Sequence, residues 1–166
     1  YLTAYGPATP EDFARWWGVD AGPAKKLFRS LGAELAAVMV EGAPAWALAA
    51  HLPQMQAAAQ ADAMCSVRLL PQFDAYTVGV ARDCPAVLPP QHKARVYRPQ
   101  GWIAAVVLVN GRMAGTWEQA QARDKLLVKA SLFEPLAAAL ETDLRIEVER
   151  LGAFLGSAAE LQLENV

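Results

Sequence analysis

Seven basic side chains in two groups are the residues of this sequence best suited to chemistry, and that chemistry is the holding of anions. Lys25, Lys26 and Arg29 recur at helical spacing opposite an apolar face of Ala24, Leu27, Phe28 and Leu31. Lys93, Arg95 and Arg98 lie in a proline-containing stretch around Tyr97, and Arg112 follows the dipeptide Asn110-Gly111. Lysine meets a phosphate oxygen as a point charge and arginine as a planar fork. The competing reading of each group is a solvated face that only aids solubility. Asp74 and Tyr76 interrupt the apolar run Leu69-Leu70-Pro71-Gln72-Phe73-Asp74-Ala75-Tyr76. They read either as pocket groups that polarise a ligand or as a hydrogen-bonding pair that pins a turn, the second being the commoner use.

Bond-breaking chemistry is poorly supplied. His51 and His92 are the only histidines and Cys65 and Cys84 the only cysteines. They form no Ser-His-Asp or Cys-His arrangement, no metal-ligand spacing and no Cys-x-x-Cys pair, and there is no glycine-rich phosphate loop. No metal and no cofactor are expected. The glutamine pairs Gln54-Met55-Gln56 and Gln119-Ala120-Gln121 carry no role on spacing alone. Two unpaired thiols suit a reduced cytoplasmic protein. No apolar run reaches membrane-spanning length and no signal peptide opens the chain, so no membrane partner is expected.

With 166 residues, 54% of them hydrophobic, the chain can bury a core as one domain or two small ones. Its net charge of -2 conceals a division. Residues 1–63 hold four Lys/Arg against six Asp/Glu, residues 64–130 nine against four, and residues 131–166 two against seven. The middle third is the electrostatic candidate for phosphate contact.

The elements that must position these residues are legible from local signals. Thr9 caps a helix, Pro10 suits its first turn, Glu11 and Asp12 favour its positive end, and Gly18 stops it after Phe13, Trp16 and Trp17. A second helix starts near Asp20 and Pro23, carries the first basic group, and ends at Gly32. A strand over 35–40, a turn at Glu41-Gly42 and a return over 45–48 complete a helix-turn-helix with a two-stranded wing. Two helices joined by a tight turn, the second presenting bases outward, are how a protein enters a DNA major groove. The wing offers only Glu41 at its tip, where DNA-binding wings carry bases. Tyr1 to Tyr5 read as the tail of a helix, so the chain reads as a fragment with a truncated first helix.

The expected organisation is a winged-helix domain over 1–53, a linker or short connecting helix over 54–64, and an α+β domain over 65–166. In the last, Cys65 to Leu70 is a short strand, and 73–80 is helical or extended. Arg82 to Gln100, with four prolines, is a long loop. A hairpin of 103–109 and 112–117 turns at Asn110-Gly111, a strand covers 126–133, and Pro135 opens a long helix closed by Gly156. Leu161 to Leu163 is a final edge strand. The fold class is therefore α+β: a winged helix-turn-helix, then a small antiparallel β-rich domain with one long C-terminal helix.

Together these residues resemble one family. Val67 to Tyr76, Gly101-Trp102-Ile103, Val107 to Arg112 and Ala114-Gly115-Thr116-Trp117 look like the C-terminal part of the AlkZ/YcaQ-like winged-helix proteins. Tyr5 to Trp16 looks like the start of their second winged helix. The resemblance implies tandem winged helices followed by a β-rich domain, and, for characterised members, DNA glycosylases that excise alkylated or crosslinked bases. It also implies that the catalytic glutamine motif belongs to a first winged helix which these residues do not match. No catalytic residue is therefore carried over. Asp74 and Tyr76 carry over as part of a signature loop, and Arg112 as the tip of a hairpin that faces DNA. The expected partner is double-stranded DNA, with the fragment alone not catalytic and its oligomeric state open. A winged-helix regulator reading an operator, or an interaction module without DNA affinity, are the alternatives.

Overall fold

The computed structural model describes residues 1–40, 42–60 and 65–165. The wing tip at Glu41 and the end of the expected linker, 61–64, lie outside the described residues. The chain is a mixed α+β protein whose residues group into two compact units, 1–64 with 79–81 and 65–78 with 82–166.

The first unit contains α1 (Leu2–Tyr5), α2 (Pro10–Trp17), α3 (Ala21–Leu31), β1 (Leu35–Val40), β2 (Ala43–Leu48) and α4 (Leu52–Gln60). At the start of α2 the Thr9 side chain accepts from the Asp12 backbone N–H at 3.1 Å, while the Asp12 carboxylate accepts from the Thr9 N–H at 2.9 Å. This reciprocal box satisfies donors that the first helical turn leaves over. Gly18, at φ 76, ends α2 in the left-handed conformation that glycine adopts without a Cβ penalty. Phe13 gathers Tyr1, Trp17 and Phe28 with ring centroids 5.2, 5.5 and 5.9 Å away. Ala24 and Phe28 of α3 are buried and Leu31 packs beside them, but Leu27 is 41% exposed. The buried stripe of α3 is thus narrower than expected, because Leu27 falls at its rim. β1 and β2 pair antiparallel from Leu35↔Leu48 to Val40↔Ala43, and Ala8 bridges to Trp46 beside them.

The second unit contains β3 (Val67–Leu70), all but the last residue of α5 (Ala75–Gly79), α6 (Lys93–Val96), β4 (Val106–Val109), β5 (Arg112–Ala122), β6 (Lys125–Leu132), α7 (Ala138–Leu155) and β7 (Ala158–Asn165). The five strands form one sheet in the order β3-β4-β5-β6-β7. Asn110 (φ 50) and Gly111 (φ 80) make the tight hairpin turn that their types favour.

The sheet is not wholly antiparallel as expected: β7 runs parallel to β6. The reason is the intervening α7, whose length lets the chain cross over and return in the same direction. Two boundaries also move. α7 begins at Ala138 rather than Pro135, because Leu136 reaches the core cluster from an extended lead-in. The stretch 82–100 is not one loop; it holds α6 and a short 3₁₀ turn at 90–92, with another at 99–101.

Alternation along β6 buries Leu126, Val128, Ala130 and Leu132 on the face that packs Leu144 and Val148 of α7. Leu161 of β7 joins that core. Lys129 and Ser131 point the other way. A register shift between Val107 and Leu108 inserts a bulge into β5, so Met113 and Thr116 share that opposite face. Near Met113 this face is closed by the 82–103 segment, with a bond from the Met113 N–H to the Val87 carbonyl at 2.8 Å. Further along it opens.

Candidate nucleic-acid interface

The three cations of α3 are exposed but not equivalent. Lys25 Nζ lies 2.7 Å from Glu11 Oε1, across the helix pair. This partner holds the Glu11 carboxyl below the usual carboxylate range, first through the side-chain hydrogen bond. Among the described residues, neither Lys26 nor Arg29 has an ion-pair partner. α3 thus offers two uncommitted cations where three were expected.

In the second unit Lys93 is paired with Asp83. Arg112 donates to the Pro85 carbonyl at 3.4 Å, so two of the four expected cations engage the same short segment. Arg95 and Arg98 are exposed and neighbouring, with Arg98 Nε 3.4 Å from the Arg95 carbonyl.

Asp74 and Tyr76 are brought together, as builders of local structure. Asp74 Oδ1 accepts from the Tyr76 N–H at 2.8 Å, and the Tyr76 hydroxyl donates to the Gly111 carbonyl at 2.6 Å. The pair therefore caps α5 and ties it to the β4–β5 turn. Desolvation pushes the Tyr76 hydroxyl above its ordinary pKa, keeping it a donor.

A cleft of about 150 Å³ opens on the sheet face away from α7. Thr116 and Glu118 of β5 stand opposite Ser131 and Lys129 of β6, and Arg98, Gln72 and Trp102 complete the rim. Sequence reading missed this group because it depends on the β5–β6 register. The available signal was alternation, which puts Thr116 with Glu118 and Lys129 with Ser131 on single faces. No group of three metal-ligating side chains occurs among the described residues, and no described helix is long and apolar enough to cross a membrane.

The family described as DNA glycosylase AlkZ-like matches residues 1–154. The interstrand DNA cross-link repair glycosylase of Streptomyces sahachiroi is 41% identical over 121 residues, covering 71% of this chain and 32% of that protein. The solved structure of the Streptomyces sahachiroi DNA glycosylase AlkZ superposes with a TM-score of 0.79 at 32% identity, over 100% of this chain and 43% of that one. The chain therefore spans less than half the length of the relatives it matches. On this match the chain belongs to the AlkZ-like DNA glycosylase family.

Proposed function

We propose that this chain binds double-stranded DNA as part of a base-excision repair glycosylase acting on alkylated or crosslinked bases. In this reading residues 1–53 form a winged helix with α3 as the recognition helix, 54–64 connect, and 65–166 form a second DNA-facing domain. The observation that carries it is the exposed, uncommitted pair Lys26 and Arg29 on the second helix of a helix-turn-helix. The hairpin β1–β2 and the Ala8–Trp46 bridge supply the wing. Arg95 and Arg98, with Lys93 and Arg112 beside them, add a phosphate-gripping patch. No residue here is assigned the bond-breaking step, since the resemblance puts the family's catalytic glutamines in a first winged helix that the matched motifs do not include.

Such enzymes must extrude or expose a base that stacking shields, so a firm grip on the flanking phosphates is a mechanistic requirement. The test is fluorescence anisotropy with a short labelled duplex at low salt. Changing Lys26 and Arg29 to Ala is expected to weaken binding about tenfold, two lost charge contacts being worth that order. Binding kept by that variant but lost on changing Arg95 and Arg98 moves the DNA face to the second domain. No binding at low salt favours an interaction module, the use suggested by the apolar wing, where Met39 is 66% exposed.

A further inference from the structure

An exposed aromatic pair stands beside the cleft and takes no part in the phosphate contacts proposed above. Phe73 and Trp102 meet edge to face, ring centroids 5.3 Å apart and planes at 77°. Phe73 is 48% exposed and Trp102 45%. Phe73 occupies the third position of the Pro71–Asp74 turn at φ 57, and the turn is closed by the Asp74 N–H on the Pro71 carbonyl at 3.3 Å. Gln100, in the turn that delivers Trp102, sits at φ 61, and that turn is pinned by the Arg98 N–H on the Trp102 carbonyl at 2.8 Å. Left-handed backbone is costly for any residue with a Cβ, and more so for a bulky one. Two turns thus hold unfavourable backbone to display large rings to water.

We infer that the Phe73–Trp102 pair and the adjoining cleft form a site for one unstacked nucleobase of DNA. This inference rests on the reading of DNA as partner and deepens it. An indole and a phenyl ring offer π-faces on which any base can stack. The cleft behind Trp102 supplies what a base edge needs: the Glu118 carboxylate to accept from an exocyclic amine, and the Thr116 and Ser131 hydroxyls and Gln72 amide to do either. A bare phosphate fits worse, since Glu118 repels it. Arg98 and Lys129 remain for the phosphates flanking the base, although Lys129 also lies 3.7 Å from Glu164. The cleft's volume of about 150 Å³ is of the order that takes up one six-membered ring, the size of a pyrimidine ring. Trp117 is excluded from the stacking role, since its indole N–H is held by the Leu70 carbonyl at 2.9 Å.

The experiment compares three labelled probes at one low salt concentration: a matched duplex, the same duplex with one bulged nucleotide, and a short single strand. The proteins are the unsubstituted chain, Phe73→Ala, Trp102→Ala and Trp102→Phe, each checked by thermal unfolding. The unsubstituted chain is expected to prefer the bulged duplex about tenfold, the scale of one base–aromatic stack. Either alanine variant should erase that preference without changing affinity for the matched duplex, and Trp102→Phe should keep most of it. Phe73→Ala removes an exposed ring, so it serves should Trp102→Ala fail to fold. No preference, or a preference unchanged in the variants, overturns the inference. If the matched duplex is not bound at all, the duplex reading fails. The single strand then decides: binding lost in Phe73→Ala supports the base site, and absent or unchanged binding overturns it.

Discussion

Glu11 and Lys25 meet across α2 and α3 at 2.7 Å, and this pairing divides the basic face of α3 into one committed cation and two open ones. The pair is exposed, so its contribution to stability is small, about 0.2–1 kcal/mol. Its consequence is for binding. Lys25→Ala is expected to change duplex affinity less than Lys26→Ala or Arg29→Ala, since Lys25 must leave a carboxylate before it meets a phosphate. Glu11→Gln releases Lys25 and should strengthen binding. Single-variant titrations with one duplex check the order; an equal loss for all three cations contradicts it.

The Thr9–Asp12 box predicts acid sensitivity of the first unit. Burial alone raises the Asp12 carboxyl, but hydrogen bonds from the Thr9 hydroxyl and backbone N–H, with Arg15 beside them, outweigh it and leave the pKa below its ordinary 3.8. A carboxyl depressed in the folded state stabilises above its unfolded pKa, and the contribution is lost as pH falls through the folded value. Unfolding temperature should therefore drop on acidification below about pH 4, and Asp12→Asn should show a smaller drop. At neutral pH, Thr9→Ala should cost about 1 kcal/mol in denaturant unfolding.

Gly152 of α7 is required by close approach rather than by backbone conformation. A Cβ there would stand 2.6 Å from the Ala159 Cβ and 2.7 Å from the Ser157 carbonyl oxygen. Alanine favours a helix over glycine by about 1 kcal/mol, yet this clash requires α7 to shift from β7. Gly152→Ala is expected to destabilise by about 1–3 kcal/mol, measured by urea unfolding; a stabilised variant would show the α7–β7 contact to be loose.

Trp117 reaches from β5 to the Leu70 carbonyl at the end of β3, linking two strands that are not neighbours. Trp117→Phe keeps most of the apolar contact and loses the bond to the Leu70 carbonyl. The expected cost is about 1–2 kcal/mol in chemical unfolding, with no change in duplex affinity.

What could be read from the sequence was what local chemistry decides. Thr9-Pro10 announced α2, Gly18 and Gly156 closed helices, and Asn110-Gly111 set the β4–β5 turn, each acting within a few residues. What escaped depends on distant partners. β5 runs on to Ala122 through an exposed polar segment that only its pairing with β6 organises. β7 is parallel because of where α7 delivers it, and the residues 158–165 carry no mark of direction. The site shows the same split. The basic clusters were visible as types at spacings, whereas the Lys25–Glu11 and Lys93–Asp83 pairings, which decide which cations are open, were not. The cleft required register and the bulge, both set by the assembled sheet.

The most direct test of the DNA-binding reading is the dependence of duplex affinity on salt concentration. Each neutralised phosphate contributes about 0.9 to the slope of log affinity against log salt. The account predicts a steep negative slope for the unsubstituted chain, made shallower by about 2 when Lys26 and Arg29 are both replaced by Ala. A slope near zero, or one that the double substitution leaves unchanged, would contradict the assignment of α3 to DNA.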